Sequence, residues 1–154
     1  MSLKIEKRFK KATKEACDLA KDEAVLQKHP KVTSLHVLVG LFLQNGEAAK
    51  ILKSEGVTLE KLRRQLAKYN TRFDKVTKDP GYVPRVIRVF SYSLSEAAND
   101  SSEDLTLKAI STEHLLRGLL RDSGGTAAHA LHQVGVTPGD LYLKLAPKTD
   151  AVTV

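Results

Sequence analysis

The stretch Ser111-Thr112-Glu113-His114-Leu115-Leu116-Arg117-Gly118-Leu119-Leu120 decides the fold, because the chain contains a second version of it. The earlier version is Thr33-Ser34-Leu35-His36-Val37-Leu38-Val39-Gly40-Leu41-Phe42, with histidine, an apolar pair and glycine at the same spacing. His114 follows His36 by 78 positions. A long period that occurs only twice indicates a duplicated unit, since a solenoid needs three or more stacked repeats.

The duplication continues after each version of this stretch. Ala48-Ala49 corresponds to Ala127-Ala128, and Gly56-Val57-Thr58 corresponds to Gly135-Val136-Thr137, both now shifted by 79 positions. Each Gly is placed to end a short helix in the left-handed conformation. Each Thr is placed to cap the helix that follows.

Apolar residues recur every three or four positions, which predicts helices throughout. Gly40 lies inside a helix that is apolar on most sides, so we expect a neighbouring helix to approach it closely. Alternating β-type patterns are absent from the sequence. The predicted fold is all-α, a tandem repeat of two four-helix motifs with pseudo-twofold symmetry. The predicted helices of the first motif are 7–27, 34–44, 47–54 and 59–69, and those of the second open at Pro84, Ser111, Ala127 and Pro138.

The 154 residues are predicted to form a single domain. Its first repeat is about 7–69 and its second about 82–145. A polar linker, 70–81, joins them, and the tail, 146–154, is predicted to be frayed.

Charge is distributed unevenly between the two repeats. Residues 1–78 contain 18 Lys/Arg and 9 Asp/Glu, a net charge of +9, whereas residues 79–154 contain 7 and 9, a net charge of −2. A basic half is compatible with nucleic acid or an acidic protein surface as the partner. The alternative is that these lysines only form the solvent-exposed face of a helix and bind no partner.

The sequence contains no apolar run of membrane-spanning length, and its first residues contain no secretory signal, so no membrane partner is expected. The single Cys17 excludes an internal disulfide and is compatible with a reducing compartment. We therefore predict a cytoplasmic location.

An ordered set of motifs resembles the N-terminal domain of the Clp ATPases, the Hsp100 unfoldases of the AAA+ class. That domain is a tandem repeat of four-helix motifs, and its most recognisable stretch is matched by Thr112-Glu113-His114-Leu115-Leu116-Arg117-Gly118-Leu119. Phe9, His29, Val83-Pro84-Arg85 and Ser93-Leu94-Ser95-Glu96-Ala97 extend the resemblance. Together the matches cover about residues 7–145.

The resemblance implies a non-catalytic protein-binding module. Such domains receive adaptor proteins and unfolded or tagged substrates for a hexameric unfoldase, and in some members the glutamate of each Thr-Glu-His helps to hold phosphorylated arginine. Helix N-termini favour phosphate and carboxylates pair with guanidinium, so this role is physically reasonable. The sequence departs from the pattern in its first copy, Ser34-Leu35-His36, where leucine replaces glutamate. We therefore expect at most one weak site, at Glu113.

The candidate partner-binding residues are Ser34, Val83, Arg85, Arg88, Thr112 and Glu113. We expect them at the seam between the repeats, where the helix starts at Val83 and Ser111 come together. Arg85 and Arg88 are predicted to be exposed and available to an acidic adaptor.

Catalytic, cofactor and metal sites are not predicted. The sequence contains no phosphate-binding Gly-x-x-x-x-Gly-Lys-Ser/Thr, and Cys17 lies on an apolar stripe. His129 and His132 are one helical turn apart but have no further ligand at suitable spacing. His36 and His114 recur three residues after a cap, which favours a structural role, and no pair of buried acids is expected.

Three functions remain open. The first is a binding module for adaptors or substrates of a Clp-type unfoldase. The second is a free-standing accessory protein that docks on Clp ATPase or protease subunits. The third, which is less well supported, is a basic helical nucleic-acid binder, because the buried helices are too apolar to face DNA.

Overall fold

The computed structural model describes residues 4–69, 79–100 and 109–146. Within these ranges the chain is helical, and no helix is long and apolar enough to span a membrane. The helices pair into two motifs of four, as the duplicated sequence predicts. After a 3₁₀ turn (Lys4–Arg8) they are α1 (Lys11–Leu26), α2 (Ser34–Gln44), α3 (Glu47–Ser54), α4 (Leu59–Leu66), α5 (Pro84–Asn99), α6 (Thr112–Arg121), α7 (Thr126–Gln133) and α8 (Pro138–Leu145).

The first helix begins later than predicted, at Lys11 and not at Lys7. The reason is that the chain is extended at Lys10 and that Phe9 forms an isolated parallel β-bridge with Ile110. A symmetry-related bridge joins Val32 and Tyr82, the residues that precede α2 and α5. Each repeat therefore hydrogen-bonds to the other through the residues just before its first two helices.

The helix ends follow the predicted capping residues. Thr58 accepts a hydrogen bond from the Lys61 N–H at 3.2 Å, and Pro84 and Pro138 occupy the first turns of α5 and α8. Gly56 and Gly135 have φ of +83° and +92° and end the short helices α3 and α7, as expected. The predicted linker and tail fall largely on residues 70–78 and 147–154, which lie outside the described residues.

The two hairpins α1–α2 and α5–α6 are held by close backbone approach at equivalent glycines. A Cβ on Gly40 would collide with the Ala16 carbonyl, and a Cβ on Gly118 would collide with the Ser93 hydroxyl and lie 2.8 Å from the Val89 carbonyl. The predicted close packing at Gly40 is confirmed. It places the buried helix α2 directly against α1, with small residues at the contact.

An aromatic cluster lies where the two repeats meet. Phe9 and Tyr82, which precede α1 and α5, both pack edge-on against Phe90, with ring centroids 5.1 and 5.0 Å apart. Cys17 occupies the position in α1 that Phe90 occupies in α5, and it is buried, as the apolar stripe predicts. Burial raises the pKa of the Cys17 thiol to about 12, so the thiolate is disfavoured.

Candidate binding surfaces

The start of α6 carries a complete capping arrangement. The Ser111 hydroxyl accepts from the His114 backbone N–H at 3.1 Å, and the Ser111 N–H donates to His114 Nδ1 at 3.0 Å. Because Nδ1 accepts, the ring proton lies on Nε2, which donates to Asp100 Oδ2 at 2.5 Å. Thr112 is buried, and Glu113 is half-buried at the edge of this turn. The predicted structural role of His114 is confirmed.

The start of α2 repeats this arrangement with a different outer partner. The Thr33 N–H donates to His36 Nδ1 at 2.9 Å, which leaves His36 Nε2–H to donate to His29 Nδ1 at 2.8 Å. Burial, together with the electrostatic effect of neighbouring His29, lowers the pKa of His36 to about 4. His36 is therefore a neutral structural residue at physiological pH.

The N-terminus of α2 is closed by the second repeat. The Ser34 side chain is buried and accepts from the Ala127 N–H at 2.9 Å, while the Leu35 N–H donates to the Thr126 hydroxyl at 3.0 Å. The two helix starts thus cap each other across the molecule. In the other repeat Thr112 corresponds to Ser34, and α3 corresponds to α7. Within the described residues no hydrogen bond joins Thr112 to the start of α3, so the start of α6 is not closed in this way.

The helix starts at Val83 and Ser111 do not come together, and this prediction is wrong. α5 and α6 are antiparallel: Arg85 contacts Asp122 at one end of the pair, and Asp100 contacts His114 at the other. The short motif that opens each helix carries no information about the direction in which the helix runs. Because a helix rises 1.5 Å per residue, the start of α5 and the start of α6 lie about 20 Å apart.

The candidate residues consequently fall into two groups. Val83 lies at the end where α2 begins, because its N–H donates to the Val32 carbonyl at 3.1 Å. Arg85 and Ser34 lie at this same end, on either side of Gly125: Arg85 pairs with Asp122, and a Cβ on Gly125 would touch both Asp122 and Ser34. Arg88 follows one turn along α5. Thr112 and Glu113 lie at the opposite end of the α5–α6 pair.

Arg85 and Arg88 are both exposed, as predicted, but Arg85 is not free. Its Nε donates to both Asp122 oxygens at 3.0 and 2.9 Å, and Asp122 itself is only 4% exposed. A buried carboxylate needs this partner, so Arg85 holds the end of α6 in place. The expectation that Arg85 is wholly available to an acidic partner is corrected in this respect.

Two buried glutamates were not predicted. Glu23 and Glu96 are 2% and 1% exposed and occupy equivalent positions in α1 and α5. Arg63 binds Glu23 through two hydrogen bonds of 3.0 and 2.9 Å. Burial alone would raise the pKa of Glu23, but the hydrogen bonds from Arg63 and Gln27 hold it below its usual value. Glu23 is thereby held as the anion of a structural ion pair between α1 and α4.

Glu96 belongs to a network that runs along the second repeat. Arg121 Nη1 and the Tyr142 hydroxyl donate to its Oε2 at 3.0 and 2.8 Å, and Arg117 Nε lies 3.5 Å from its Oε1. Arg117 also donates to Asp100 at 2.6 Å. Glu23 and Glu96 align when the sequence of α5 is shifted by 73 positions onto that of α1. This alignment could have identified the two equivalent glutamates from the sequence.

Metal ligands do not cluster in the described residues, where no three His, Cys, Asp or Glu side chains converge. His129 and His132 are both exposed on α7.

Within the described residues these features define an all-helical, duplicated domain whose buried polar side chains are bonded to one another or to the backbone at the helix starts and between the repeats. Residues 8–110 match the Clp repeat (R) N-terminal domain family, and the chain belongs to that family.

Relatives of known name support this assignment over most of the chain. The chain is 31% identical over 131 residues to the negative regulator of genetic competence ClpC/MecB of Bacillus subtilis (strain 168). The alignment covers 84% of this chain but 16% of that protein.

Solved structures share the fold. The N-terminal domain of the caseinolytic protease-associated chaperone ClpD of Arabidopsis thaliana superposes with a TM-score of 0.72 and 20% identity, over 91% of this chain and 96% of that one. A complex of the ClpV N-domain with a VipB peptide gives a TM-score of 0.63 and 15% identity, over 94% and 92%. The predicted fold class is confirmed.

Proposed function

We propose that this chain is a non-catalytic protein-binding domain that receives adaptor proteins or substrates for a Clp-type ATP-dependent unfoldase or protease. The observation that carries the proposal is the start of α6, which no described residue of the first repeat caps and which has Glu113 at its edge, on a fold that belongs to the Clp N-terminal family. The peptide complex of the related ClpV N-domain supports a binding role.

The two helix starts are proposed to be unequal in function. At α6 the partly exposed Glu113 is available to a cationic group of a ligand, at a helix start whose dipole favours anions. At α2 the carboxylate is replaced by Leu35, and the Leu35 N–H is already bonded to Thr126. If phosphorylated arginine is a ligand, it binds weakly and only at Glu113.

Arg88 extends the proposed surface at the other end of α5. It is exposed and has no ion-pair partner within the described residues, so it can meet an acidic adaptor. Arg85 contributes through the guanidinium nitrogens that Asp122 leaves unbonded, and Val83 contributes a half-buried apolar edge.

The chain spans only a small part of the curated relatives that it matches. A free-standing accessory protein that docks on Clp ATPase or protease subunits is the second form of the proposal. A cytoplasmic, reducing location belongs to the same proposal and is supported by the buried Cys17 thiol. Nucleic-acid binding is the weakest alternative, supported only by exposed lysines such as Lys10 and Lys14.

Affinity capture with the whole 154-residue chain tests the proposal. The immobilised chain is expected to retain a Clp ATPase or protease subunit, an adaptor, or unfolded proteins, each identified by mass spectrometry. Glu113→Gln is expected to reduce this retention, whereas Glu60→Gln, an exposed acid on α4, is the matched control. Retention of nucleic acid alone, lost at high salt, would contradict the proposal.

A further inference from the structure

A cleft of about 520 Å³ lies in the second repeat, outside the start of α6. It is enclosed by the end of α6, by α7 and by the start of α8, and its walls include Leu120, Gly124, Gly125, His132 and Gly139. A volume of this size falls in the range of sites that take a large side chain or a small ligand.

The internal duplication shows why this cleft is open. The equivalent region of the first repeat carries larger or charged side chains at three of the lining positions: Phe42, Lys53 and Glu60. Lys53 Nζ lies over the Phe42 ring, 5.5 Å from its centroid, and donates to Asn45 at 2.7 Å. In the first repeat Phe42 and Lys53 thus cover this region, whereas Glu60 is exposed and pairs with Arg64.

In the second repeat the same three positions carry Leu120, His132 and Gly139. Leu120 is only 3% exposed and forms the floor of the cleft. A Cβ added at Gly139 would meet no atom within 4 Å, so the side-chain space at this position is empty. The missing Phe42 ring and the missing Lys53 side chain leave a largely apolar hollow at this place in the second repeat.

The charged group that borders the cleft and can meet a ligand is the guanidinium of Arg85, because the neighbouring Asp122 is buried and already paired with Arg85 Nε. None of the residues that line it is acidic, and His132 is exposed on its α7 wall. Arg85 lies against Gly124, where its Nη2 would collide with an added Cβ. Only Arg85 Nε is used by Asp122, so its Nη atoms remain unbonded within the described residues. The positive end of the α7 dipole, which begins at Thr126, adds to this field.

We propose that this cleft docks an internal segment of a partner protein in which a large apolar side chain is adjacent to an aspartate or glutamate. The apolar side chain takes the space that Phe42 fills in the first repeat, and the carboxylate pairs with the outer nitrogens of Arg85. The inference rests on the proposed protein-binding function: it gives Arg85 a specific ligand group and adds an apolar cleft, which is separate from Glu113, to the proposed surface.

Binding is tested on the whole chain with an acetylated and amidated hexapeptide that contains adjacent aspartate and phenylalanine. Saturable amide shifts are expected at Gly124, Gly125 and His132, and not at Glu113. Two further peptides separate the contributions, because replacing phenylalanine by alanine or aspartate by asparagine should each weaken binding by about tenfold.

Gly139 offers a matched pair of variants that should fold, since its side-chain space is empty. Gly139→Glu introduces the carboxylate that Glu60 carries at the equivalent position of the first repeat. It should lower the affinity for the peptide by about tenfold or more, because this carboxylate repels the aspartate of the peptide at close range. Gly139→Gln adds the same bulk without the charge and should change the affinity by only about twofold. Arg64→Gln, an exposed arginine on α4, is the control for unspecific charge effects.

Absence of saturable shifts in the cleft would overturn the inference, as would equal binding of all three peptides or equal effects of Gly139→Glu and Gly139→Gln. These results would leave the proposed function intact if the chain still retained Clp components or unfolded proteins through Glu113. Loss of that retention, with peptide binding preserved, would instead contradict the proposed function and not the cleft.

Discussion

The Tyr142 hydroxyl donates a hydrogen bond of 2.8 Å to Glu96. In the first repeat Arg63 occupies the position that corresponds to Tyr142, and it donates to Glu23, which corresponds to Glu96. Each repeat therefore ties its last helix to a buried glutamate on its first helix. The first repeat uses one arginine for this purpose, whereas the second repeat uses a tyrosine and obtains its positive charge from α6.

Arg63→Met should destabilise the protein, because it leaves the buried Glu23 without its cation. Unpaired buried charges typically cost about 3–5 kcal/mol, and we expect about 2 kcal/mol here because the Arg63 side chain is 38% exposed and screened by solvent. Urea unfolding at pH 7 measures the change. Arg64→Met, whose Glu60 partner is exposed, should change stability by less than about 1 kcal/mol. Equal effects of the two substitutions would show that Glu23 does not depend on Arg63.

Ser34→Ala should weaken the mutual capping of α2 and α7. The Ala127 N–H would lose its acceptor in a buried position, and we expect a loss of about 1–2 kcal/mol. Chemical denaturation gives this value directly, with Ser91→Ala on the exposed face of α5 as the control. A variant as stable as the unsubstituted chain would mean that the contact between the repeats does not contribute to folding.

The low pKa of His36 predicts acid sensitivity. In the folded protein the pKa is about 4, below the ordinary 6.5, so the unfolded chain takes up a proton first as the pH falls. The stability that this residue contributes is present above pH 6.5 and is lost as the pH falls towards 4, by about 3 kcal/mol in total.

Unfolding free energies at several pH values measure this slope. His36→Gln should flatten it, since glutamine can still accept the Thr33 N–H in a capping box but does not titrate. His132→Gln, on the exposed face of α7, should leave it unchanged. A slope that persists in His36→Gln would assign the acid sensitivity to other groups.

Gly40→Ala should be strongly destabilising, because its methyl group would collide with the Ala16 carbonyl, which belongs to a helix backbone and cannot rotate away. We expect a loss of about 2 kcal/mol or more from overpacking. Gly139→Ala, which meets no atom, should instead raise stability by up to about 1 kcal/mol through helix propensity. Thermal unfolding of the two variants decides this, and a stable Gly40→Ala would contradict the close α1–α2 contact.

Apolar periodicity, the capping residues and the repeated stretch were enough to predict the helices, most of their ends and the close approach at Gly40, although α1 begins at Lys11 and not at Lys7. These features are local, since they depend on spacing and on residues a few positions apart. The relation between α5 and α6 was not predictable in the same way, because the direction in which two helix starts face depends on the path of the whole chain. The loop between α5 and α6 is also longer than its counterpart, so the shift of 73 that aligns Glu23 with Glu96 differs from the shift of 78 at the histidines. Because the shift of 78 does not align Glu23 with Glu96, comparing the two repeats at that shift did not show that both have a glutamate at this position.

The central claim is that the two helix starts of the duplicated core are unequal: α7 closes the start of α2, whereas no described residue closes the start of α6 in the same way. The most direct measurement is an amide-shift map of the labelled chain, titrated with the partner that the chain itself captures. The account predicts saturable shifts around Thr112 and Glu113 that disappear in Glu113→Gln, with unchanged amides at Ser34 and Leu35. Shifts of equal size at both helix starts, or shifts confined to the lysines at the start of α1, would contradict it.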